Sequence, residues 1–348
     1  MAKPLLMVLG CDCDPDRPRY GGPRYDEHRS ALKWRGLEEG ISLLRGRLEK
    51  IKDATGVTVK AVFFLRSDVQ MSEICGEASW PALKYAKMWR ELEKEGHELA
   101  WHPHLWRWSP ERKCWFQETK DSAWIDECLE IGHEAIVAAI GKAPQSSHMG
   151  WTFHNNTSMK KLSQLGVRID FSASPGVFSE GGPGDAGTTY DNMIDWRGTP
   201  QAWYRPSEDD YRRPARAGER ELSIIEAPKF SSRSGILKKA KGLASRLRTA
   251  SEEATAAFVQ ITALPIIYRR VIRERLETEE AEPFFATYFH PDELLTDRPR
   301  SAKGFLYSLS NLEKNIVGIV EEAGKKGREV AFLTGAAALR HIDKGGED

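Results

Sequence analysis

The feature that most constrains this fold is a repeated alternation of short apolar runs with longer helical patterns. Runs rich in Val, Ile, Leu and Phe are typical of strands buried on both faces, as in a parallel sheet. Several helical stretches end in Gly directly before the next run, as in EKEGHEL and SQLGVRI, and Gly is the usual residue just after the end of a helix. The predicted strands are 5–11, 57–65, 98–102, 167–171, 222–227, 284–290 and 330–333.

Helical patterns fill the intervals between these runs, and this order predicts an α/β fold with a parallel sheet. At 348 residues the chain is long enough to close such a sheet into a barrel. An open doubly wound sheet is the alternative, and in either case we expect one domain over residues 1–348. The predicted helices are roughly 27–54, 80–95, 122–140, 157–165, 301–326 and 336–342.

Composition excludes several classes of protein. The 51 Lys and Arg residues balance 51 Asp and Glu residues, which excludes a globally basic nucleic-acid-binding protein. We therefore expect no nucleic-acid partner. The five Cys residues have no repeated spacing, which argues against a disulfide framework. The first residues lack the long apolar region of a signal peptide, and the longest later apolar stretch, 256–268, is interrupted by Pro265. We therefore expect a cytoplasmic protein.

One segment departs from the alternating pattern. Residues 229–281 read as an inserted, basic, amphipathic helical segment, and residues 229–248 contain seven basic residues and no acidic one. A basic amphipathic helix can lie on an anionic membrane surface, so residues 229–275 are candidates for peripheral membrane contact. A solvated outer helix or lid is the alternative.

Two carboxylates end the first predicted strand, in the sequence LGCDCDPD. Because side chains alternate along a strand, Asp12 and Asp14 share one face while Cys11 and Cys13 share the other. The carboxyl ends of parallel strands are where such folds place their chemistry. The pattern indicates a base beside a metal ligand, or two ligands of one cation; a solvated acidic turn is the alternative.

Two histidines end the third predicted strand, in the sequence GHELAWHPH. His102 and His104 are two residues apart, so both can point the same way and bind one metal ion. His97 follows the Gly that ends the preceding helix and is better explained as a packed or capping residue. With the Asp pair, this spacing indicates a site of two histidines and one carboxylate, which leaves metal positions open for water and substrate.

A third element is the run FFATYF, which ends at His290. A histidine at a strand end, far in sequence from the ligands, is suited to donating a proton at neutral pH. A residue that only caps the following segment is the alternative.

Tryptophan is unusually frequent, with 11 residues, and eight of them lie between residues 101 and 203. Flat aromatic side chains suit the C–H face of a sugar ring. We expect Trp106, Trp151 and Trp196 to line a carbohydrate-binding cleft, whereas Trp101 and Trp124 are equally good candidates for the core.

In their order along the chain, these motifs resemble those of the polysaccharide deacetylases of the NodB-homology superfamily. The sequence CDCD resembles the Asp pair of the first family motif, and GHELAWHPH resembles the second. The region beginning SSHMGWTF resembles the third, DWRGTP the fourth and YFHPDEL the last. The resemblance covers most of the chain and implies an irregular (β/α)7 barrel, here with a helical insertion, that removes N- or O-acetyl groups from sugars or glycans with a divalent metal ion.

The resemblance also implies roles for single residues. Asp12 becomes the general base and His290 the general acid, with Asp195 as a carboxylate that orients His290. The metal ligands become Asp14, His102 and His104. Zinc suits such a donor set best, and cobalt, nickel and manganese remain alternatives. The expected partner is an N-acetylated sugar, glycolipid or oligosaccharide in a biosynthetic pathway.

The sequence departs from the family pattern at two places. The usual second motif is His-x-x-x-His, but Trp106 stands four residues after His102, so His104 takes the place of the second ligand. The third motif usually supplies an Arg that orients the base, and His148 occupies that region. His148 is therefore grouped with the substrate side of the site, and whether it orients Asp12 or ligates the metal in place of His104 stays open.

Other functions remain open on the sequence alone. A non-sugar amidase or a glycoside hydrolase can use a similar barrel, although a glycosidase needs two carboxylates at set separations and no metal. A non-catalytic relative that only binds glycans is the third reading.

Overall fold

The computed structural model describes residues 3–16, 32–111, 113–180, 193–229, 231–232, 257–277, 284–296 and 307–345. The main element is a curled sheet in which every pairing is parallel, with the order β6-β5-β4-β3-β2-β1-β7. β8 pairs with the first half of β1, while β2 pairs with its second half. The strands are β1 Leu5–Cys13, β2 Ala61–Arg66, β3 Glu98–His102, β4 Ser146–Ser147, β5 Ile169–Asp170, β6 Ile225–Glu226, β7 Phe284–Phe289 and β8 Val330–Leu333.

The two ends of this sheet meet. Just after β6, Lys229 forms a parallel bridge with Ala286 of β7, and its backbone N–H also donates to the carbonyl of Ala173 at 2.9 Å. Among the described residues, this bridge completes a ring of strands. The barrel predicted from the sequence is confirmed, and the open doubly wound sheet is not what the chain adopts.

Alternation along β1 divides the apolar residues into two cores. Leu6 and Val8 face the interior of the ring, where they pack with Phe64 and Phe171. The odd-numbered residues of β1 instead join the larger core between the sheet and the surrounding helices. Because the same alternation brings Asp12 to the interior side, the ring positions its carboxylate at the mouth of the barrel.

Helices surround the ring. The first is preceded by a π-helical turn, Gly36–Gly40, and the carboxylate of Asp16 accepts hydrogen bonds from the backbone N–H groups of Arg35 (3.1 Å) and Gly36 (2.8 Å). Asp16 is thus a helix-capping residue. The helices are α1 Ile41–Thr55, α2 Val69–Cys75, α3 Trp80–Lys84, α4 Ala86–Lys94, α5 Ser122–Ile140, α6 Asn156–Gln164, α7 Pro265–Leu276, α8 Leu309–Lys325 and α9 Gly335–Gly345.

Short antiparallel hairpins and two 3-10 turns lie outside the main sheet. One hairpin joins Trp106–Ser109 to Cys114–Gln117, and a second joins Phe178–Glu180 to Met193–Asp195. The 3-10 turns are Gly150–Thr152 and Pro291–Leu294. Both turns follow strand ends, next to residues singled out in the sequence.

In the described part of the predicted helical insertion at 229–281, α7 is a helix, whereas Ser231–Ser232 pairs antiparallel with Ala257–Phe258 as short strands. α7 buries Tyr268, Val271 and Ile272 in the main core and packs on α8, so this apolar face is already covered by protein. Residues 233–256, which carry most of the basic run, lie outside the described residues, and membrane contact stays a prediction.

No helix within the described ranges is both long enough and apolar enough to cross a bilayer.

The packing of α5 on the sheet generates a stability prediction. A Cβ at Gly132 would lie 2.7 Å from the carbonyl oxygen of Ser67 and 3.2 Å from the ring of Trp101. Backbone cannot move aside cheaply, so Gly132→Ala should lower the free energy of unfolding by about 1–3 kcal/mol. Urea denaturation followed by circular dichroism measures this.

Gly46→Ala is the matched control, because Gly46 also lies within a helix but a Cβ there meets nothing within 4 Å. This change should raise the free energy of unfolding by about 0.5–1 kcal/mol. Equal effects of the two substitutions would contradict the close packing of α5.

Candidate metal centre

Most of the site residues predicted from the sequence come together at the carboxyl ends of the parallel strands. Asp12 lies near the end of β1 and Asp14 just beyond it, and His102 ends β3. His148 directly follows β4, and His290 directly follows β7. Although 278 positions separate Asp12 from His290 in the chain (290 minus 12), their side chains lie within 4 Å. These predicted residues therefore lie close together at one end of the barrel.

Three side chains form a group that could hold a metal ion: Asp14, His102 and His104. The Nε2 atoms of the two histidines are 3.0 Å apart. Asp14 Oδ2 lies 3.6 Å from His102 Nε2, and Asp14 Oδ1 lies 3.4 Å from His104 Nε2. One carboxylate and two imidazoles facing one point are a donor set typical of catalytic zinc sites.

The other ring nitrogen of His102 fixes which atom is available to a metal. His102 Nδ1 is hydrogen-bonded to the backbone carbonyl of His148. A carbonyl only accepts, so the ring carries its proton on Nδ1 and keeps a lone pair on Nε2. Burial alone would lower the pKa of His102, but the carboxylates of Asp12 and Asp14 raise it above its ordinary value. His102 is the histidine best prepared to bind a cation.

His104 has the opposite arrangement. Its Nδ1 accepts a hydrogen bond from the indole N–H of Trp106 at 2.9 Å, and an indole can only donate. The neutral ring then carries its proton on Nε2, where it faces His102 Nε2. Burial and the charge of Arg66 lower the pKa of His104 to about 4, so the ring is neutral near pH 7. Binding a metal through Nε2 requires this proton to move to Nδ1, at the expense of the Trp106 hydrogen bond.

The carboxylate of Asp14 is held by a buried arginine. Arg66, which ends β2, donates from Nη1 to Asp14 Oδ1 at 2.6 Å and also pairs with Asp68 and Gln70. Burial would raise the pKa of Asp14, but the nearby charges of His104 and Arg66 keep it well below its ordinary value. Asp14 is therefore ionised, and Oδ2 is the oxygen not used by Arg66.

Asp12 is held by a second chain of contacts. His148 Nδ1 lies 2.6 Å from Asp12 Oδ1, and Lys229 Nζ lies 2.6 Å from His148 Nε2. Burial would raise the pKa of Asp12, but the neighbouring His148 and His102 rings lower it below its ordinary value. Since Asp12 and Lys229 occupy both ring nitrogens of His148, this residue has no lone pair left for a metal. The structure thus favours His104 over His148 as the third ligand.

His290 lies beside both carboxylates of β1. Its Nε2 is 3.8 Å from Asp12 Oδ2 and 4.0 Å from Asp14 Oδ2. Its Nδ1 lies 3.4 Å from Glu293 Oε1 and 3.1 Å from Gln260 Nε2. The ring can therefore exchange a proton at Nε2 while Glu293 and Gln260 hold the other nitrogen.

The prediction that Asp195 orients His290 is wrong. The carboxylate of Asp195 is hydrogen-bonded to Arg197 (2.8 and 2.9 Å) and Arg212 (2.9 Å), so both of its oxygens are occupied by guanidinium groups. The carboxylate beside His290 is Glu293, three residues further along the chain.

Two of the three predicted sugar-stacking tryptophans are also corrected. Trp196 is completely buried and donates its indole N–H to the carbonyl of Thr152 at 2.7 Å. Trp106 is 1% exposed and lies behind His104. A stacking platform needs an exposed face, so neither can line a cleft. Trp151 is half-buried, lies edge-on to Trp106, and is the one of the three that keeps exposed surface.

The turn that carries Trp151 is shaped by its contact with the site. A Cβ at Gly150 would overlap the His104 ring, so this position tolerates only Gly. The next two residues, Trp151 (φ 57°) and Thr152 (φ 55°), have left-handed backbone conformations, which are costly for residues other than Gly. The strain lies directly beside the metal group.

The site opens at Asp14 and His290. Their side chains are 11% and 13% exposed, whereas those of Asp12, His102 and His148 are at most 3% exposed. Within the described residues, an ion or a substrate therefore reaches the group from the side of Asp14 and His290.

Sequence reasoning missed Arg66, Lys229 and Glu293. Arg66 ends the run AVFFLR, and a charged residue at a predicted strand end was the available signal. Lys229 follows the strand at 222–227 but was assigned to the basic segment. Glu293 lies three residues after His290, which is hydrogen-bonding range for a short turn.

The parallel barrel carries one carboxylate and two imidazoles at its strand ends, and these form a candidate metal site. No family model matches the sequence, and no curated protein sequence matches it. Among solved structures, the chain is similar to a candidate glycoside hydrolase/deacetylase from Parabacteroides distasonis, with a TM-score of 0.56 and 13% identity over 98% of this chain and 72% of that one. The expected deacetylase-type fold is confirmed at this level.

Two further solved structures are similar at lower scores. One is a candidate polysaccharide deacetylase from Mycobacterium smegmatis, with a TM-score of 0.48 and 14% identity over 99% of this chain and 92% of that one. The other is PuuE allantoinase, with a TM-score of 0.47 and 12% identity over 97% of this chain and 89% of that one.

The two carboxylates of β1 should differ in their effect on metal binding. Asp14→Asn removes an ionised ligand, so we expect the affinity for Zn²⁺ to fall by more than about 100-fold. This exceeds the loss in affinity that is typical when a residue hydrogen-bonded to a ligand is replaced. Asp12→Asn, the matched control on the same face of the same strand, should change the affinity far less, because Asp12 is engaged by His148. Competition with a chromogenic chelator measures both, and a greater loss in Asp12→Asn would reverse the assignment.

Trp106→Phe should strengthen metal binding. Without the indole N–H, His104 Nδ1 is free to carry the ring proton, which leaves Nε2 unprotonated. Because metal binding then no longer breaks a hydrogen bond, the metal affinity should rise by about three- to tenfold. Co²⁺ titration followed by its visible absorption reads this directly. Trp115→Phe controls for lost packing, because Trp115 belongs to the same aromatic cluster. Weaker binding in Trp106→Phe than in the control would show that Trp106 supports the metal-bound form of His104.

Proposed function

We propose that this protein is a metal-dependent hydrolase that removes an acetyl group from an amino sugar, with a sugar acetyl ester as the related substrate. The observation that carries this proposal is the pairing of Asp12 with His290 beside the Asp14, His102 and His104 group. A buried, ionised carboxylate and an imidazole lie 3.8 Å apart, and the imidazole belongs to the side of the group that is open among the described residues. A base and an acid next to a cation site are what hydrolysis of an amide requires.

Asp12 is suited to the role of general base. Its Oδ1 is engaged by His148, which leaves Oδ2 facing the open side of the site. The neighbouring rings keep its pKa low, so the carboxylate is ready to accept a proton from a water molecule near neutral pH. A weakly basic carboxylate of this kind depends on the acidity of the water that it deprotonates.

A divalent ion supplies that acidity and polarises the acetyl carbonyl when it is bound by Asp14, His102 and His104. Zinc is the first ion to test because two imidazoles and one carboxylate suit it, and cobalt, nickel and manganese follow. Arg66 keeps Asp14 ionised, and the carbonyl of His148 keeps the proton of His102 away from Nε2.

His290 is suited to the role of general acid. A sugar amine is a poor leaving group unless it is protonated as the bond to the acyl carbon breaks. His290 Nε2 points toward the same space as Asp12 Oδ2 and can donate the proton to the amine, while the carboxylate of Glu293 lies beside Nδ1, where it can accept a hydrogen bond from the ring and orient it. Asp12 then acts on the attacking water, and His290 acts on the departing amine.

The carbohydrate class of the substrate rests on the fold. The barrel resembles that of a candidate glycoside hydrolase/deacetylase, and the sequence motifs resemble those of polysaccharide deacetylases. The tryptophans add less support than their number suggested, because only Trp151 of the three candidates keeps exposed surface.

Acetate release is the experiment that tests the proposal. Purified protein loaded with Zn²⁺, or with Co²⁺, is incubated with N-acetylated oligosaccharides, sugar nucleotides and glycolipids, acetylated sugars and non-sugar amides, and acetate is quantified enzymatically. Chelation should abolish release, and added metal should restore it. Reducing ends without acetate would support a glycoside hydrolase, acetate only from non-sugar amides would support an amidase, and glycan binding without turnover would leave a binding protein.

A substitution separates the acid from the base. His290→Asn should lower kcat on an N-acetyl sugar by about 10²- to 10⁴-fold, because the amine departs without a proton. The same variant should hydrolyse 4-nitrophenyl acetate almost normally, since nitrophenolate is a good leaving group. Asp12→Asn should slow both substrates. If His290→Asn slows the activated ester as strongly as the amide, His290 is not the general acid.

A further inference from the structure

Lys229 is a buried lysine that reaches the site from the far side of the ring. It is 3% exposed and lies three residues after β6, where its backbone forms the bridge to Ala286 that completes the barrel. Its Nζ lies 2.6 Å from His148 Nε2 and 4.9 Å from the centre of the Tyr288 ring. The backbone contacts fix where the side chain starts, and the ring contacts fix where it ends.

The hydrogen bonds of His148 allow only one placement of its proton. An ammonium group has donors and no acceptor, so Lys229 must donate to a lone pair on Nε2. An ionised carboxylate only accepts, so Nδ1 must carry the proton that reaches Asp12 Oδ1. A second proton on Nε2 would point directly at Nζ. His148 is therefore a neutral ring protonated on Nδ1, and the contact on one nitrogen sets the state of the other.

The surroundings keep both partners in these states. Burial lowers the pKa of Lys229 to about 8, with Asp12 and Glu226 opposing, so the amine is still an ammonium group near pH 7. Because that ammonium group faces Nε2 at 2.6 Å, a second ring proton there would have no acceptor, and the ring stays neutral. The positive charge that balances Asp12 thus resides on Lys229, one ring away.

We propose that Lys229 is the positioning residue for Asp12, acting through His148: it fixes the ring proton on Nδ1, which binds Oδ1 of Asp12 and directs Oδ2 toward water and substrate. The kinetic part of this inference rests on the proposed hydrolysis, while the placement of the proton does not. The side-chain contact that brings Lys229 to the site is with His148 Nε2. We therefore expect its effect on turnover to pass through His148.

The proton placement can be read in the native protein without any substitution. Protein labelled with ¹⁵N in histidine gives ring-nitrogen signals whose shifts distinguish the two neutral tautomers from the cation, and the signals lost in His148→Asn assign those of His148. We expect the Nδ1-protonated form in wild-type protein near pH 7. The Nε2-protonated form or the cation at that pH would overturn the proposal, whether or not the protein releases acetate.

Removal of the lysine tests the cause. In Lys229→Met the ammonium group no longer excludes a second proton from Nε2, while Asp12 still holds the first on Nδ1, so we expect the His148 signals to leave the neutral Nδ1-protonated position toward those of the cation. Lys229→Gln is the second variant in case the apolar replacement impairs folding, because its amide oxygen can accept a hydrogen bond from a protonated Nε2. Lys161→Met is the matched control. Lys161 is a largely buried lysine on α6 that pairs with Glu130 of α5, and its loss should leave the His148 signals unchanged. Unchanged signals in both Lys229 variants would overturn the proposal.

A double-mutant cycle tests whether Lys229 acts through His148. Lys229→Met alone should lower kcat by about 10- to 100-fold, as for other outer partners of a site residue, with KM unchanged. In a His148→Asn background the amide donates to Asp12 without a tautomer to select, so adding Lys229→Met should change kcat by no more than about twofold. A purely structural lysine would produce the same loss in both backgrounds, and that result would overturn the proposal.

The cycle also separates this inference from the proposed function. If wild-type protein releases no acetate from any substrate, the proposed function fails, and the spectra of His148 still decide the role of Lys229. If acetate is released and the two backgrounds lose activity equally, the function stands and the positioning role fails.

Discussion

Compensation of buried charge is the constraint on which this site depends. Asp12, Asp170 and Glu226 are 2% exposed or less, and Asp14 is nearly buried, all at the mouth of one barrel. An ionised carboxylate in such surroundings is costly unless it is paired and hydrogen-bonded. The chain meets this requirement in three ways: guanidinium and ammonium groups contact the site directly or through a ring, imidazoles donate hydrogen bonds, and one carboxyl group keeps its proton. Burial and the charge of Asp170 raise the pKa of Glu226 well above its ordinary value, which favours its neutral form.

Compensation also explains why the three central imidazoles differ. His102 donates from Nδ1 to a carbonyl and keeps Nε2 for a cation, whereas His104 accepts at Nδ1 from Trp106. His148 donates to a carboxylate and accepts from an ammonium group. In each case a neighbour with only donors or only acceptors decides which nitrogen carries the proton. The role of each histidine therefore follows from its neighbour on the far side of the ring rather than from its distance to the metal group.

The sequence predicted the features that depend on local spacing. The alternation of a strand placed Asp12 and Asp14 on one face, the two-residue spacing placed His102 and His104 together, and the strand ends placed His290 near them. Helix 122–140 was predicted at its observed bounds, and His97 accepts a hydrogen bond from Ala61 N, as expected for a packed capping residue. Periodicity and strand ends carry such information because they are fixed by a few consecutive residues.

What the sequence did not reveal depends on which strands become neighbours. β4 has only two residues, too few to show an alternating pattern, yet it brings His148 to Asp12. Trp196 and Trp106 were expected in a cleft because composition cannot tell a buried indole from an exposed one. Asp195 was assigned to His290 from motif order, but Arg197, two residues further along the chain, and Arg212 donate hydrogen bonds to its carboxylate. The contact with Arg197 is local, whereas the burial of the tryptophans and the approach of His148 to Asp12 are set by tertiary packing, which no spacing within one segment encodes.

Closure of the barrel and placement of the base meet at one residue. The backbone of Lys229 forms the bridge to Ala286 that closes the ring, and its side chain contacts His148. If the ring were open at this point, the ammonium group would lose its fixed origin, and Asp12 would keep its hydrogen bond to His148 without the positive charge on the far side of that ring. The ring is then favoured by the same contact that orients the base, so the geometry of the site and the closure of the fold stabilise each other. A lysine at the position where the barrel closes contributes to both ring closure and orientation of the base. An arginine beside Asp12 on another strand would orient the base without closing the ring.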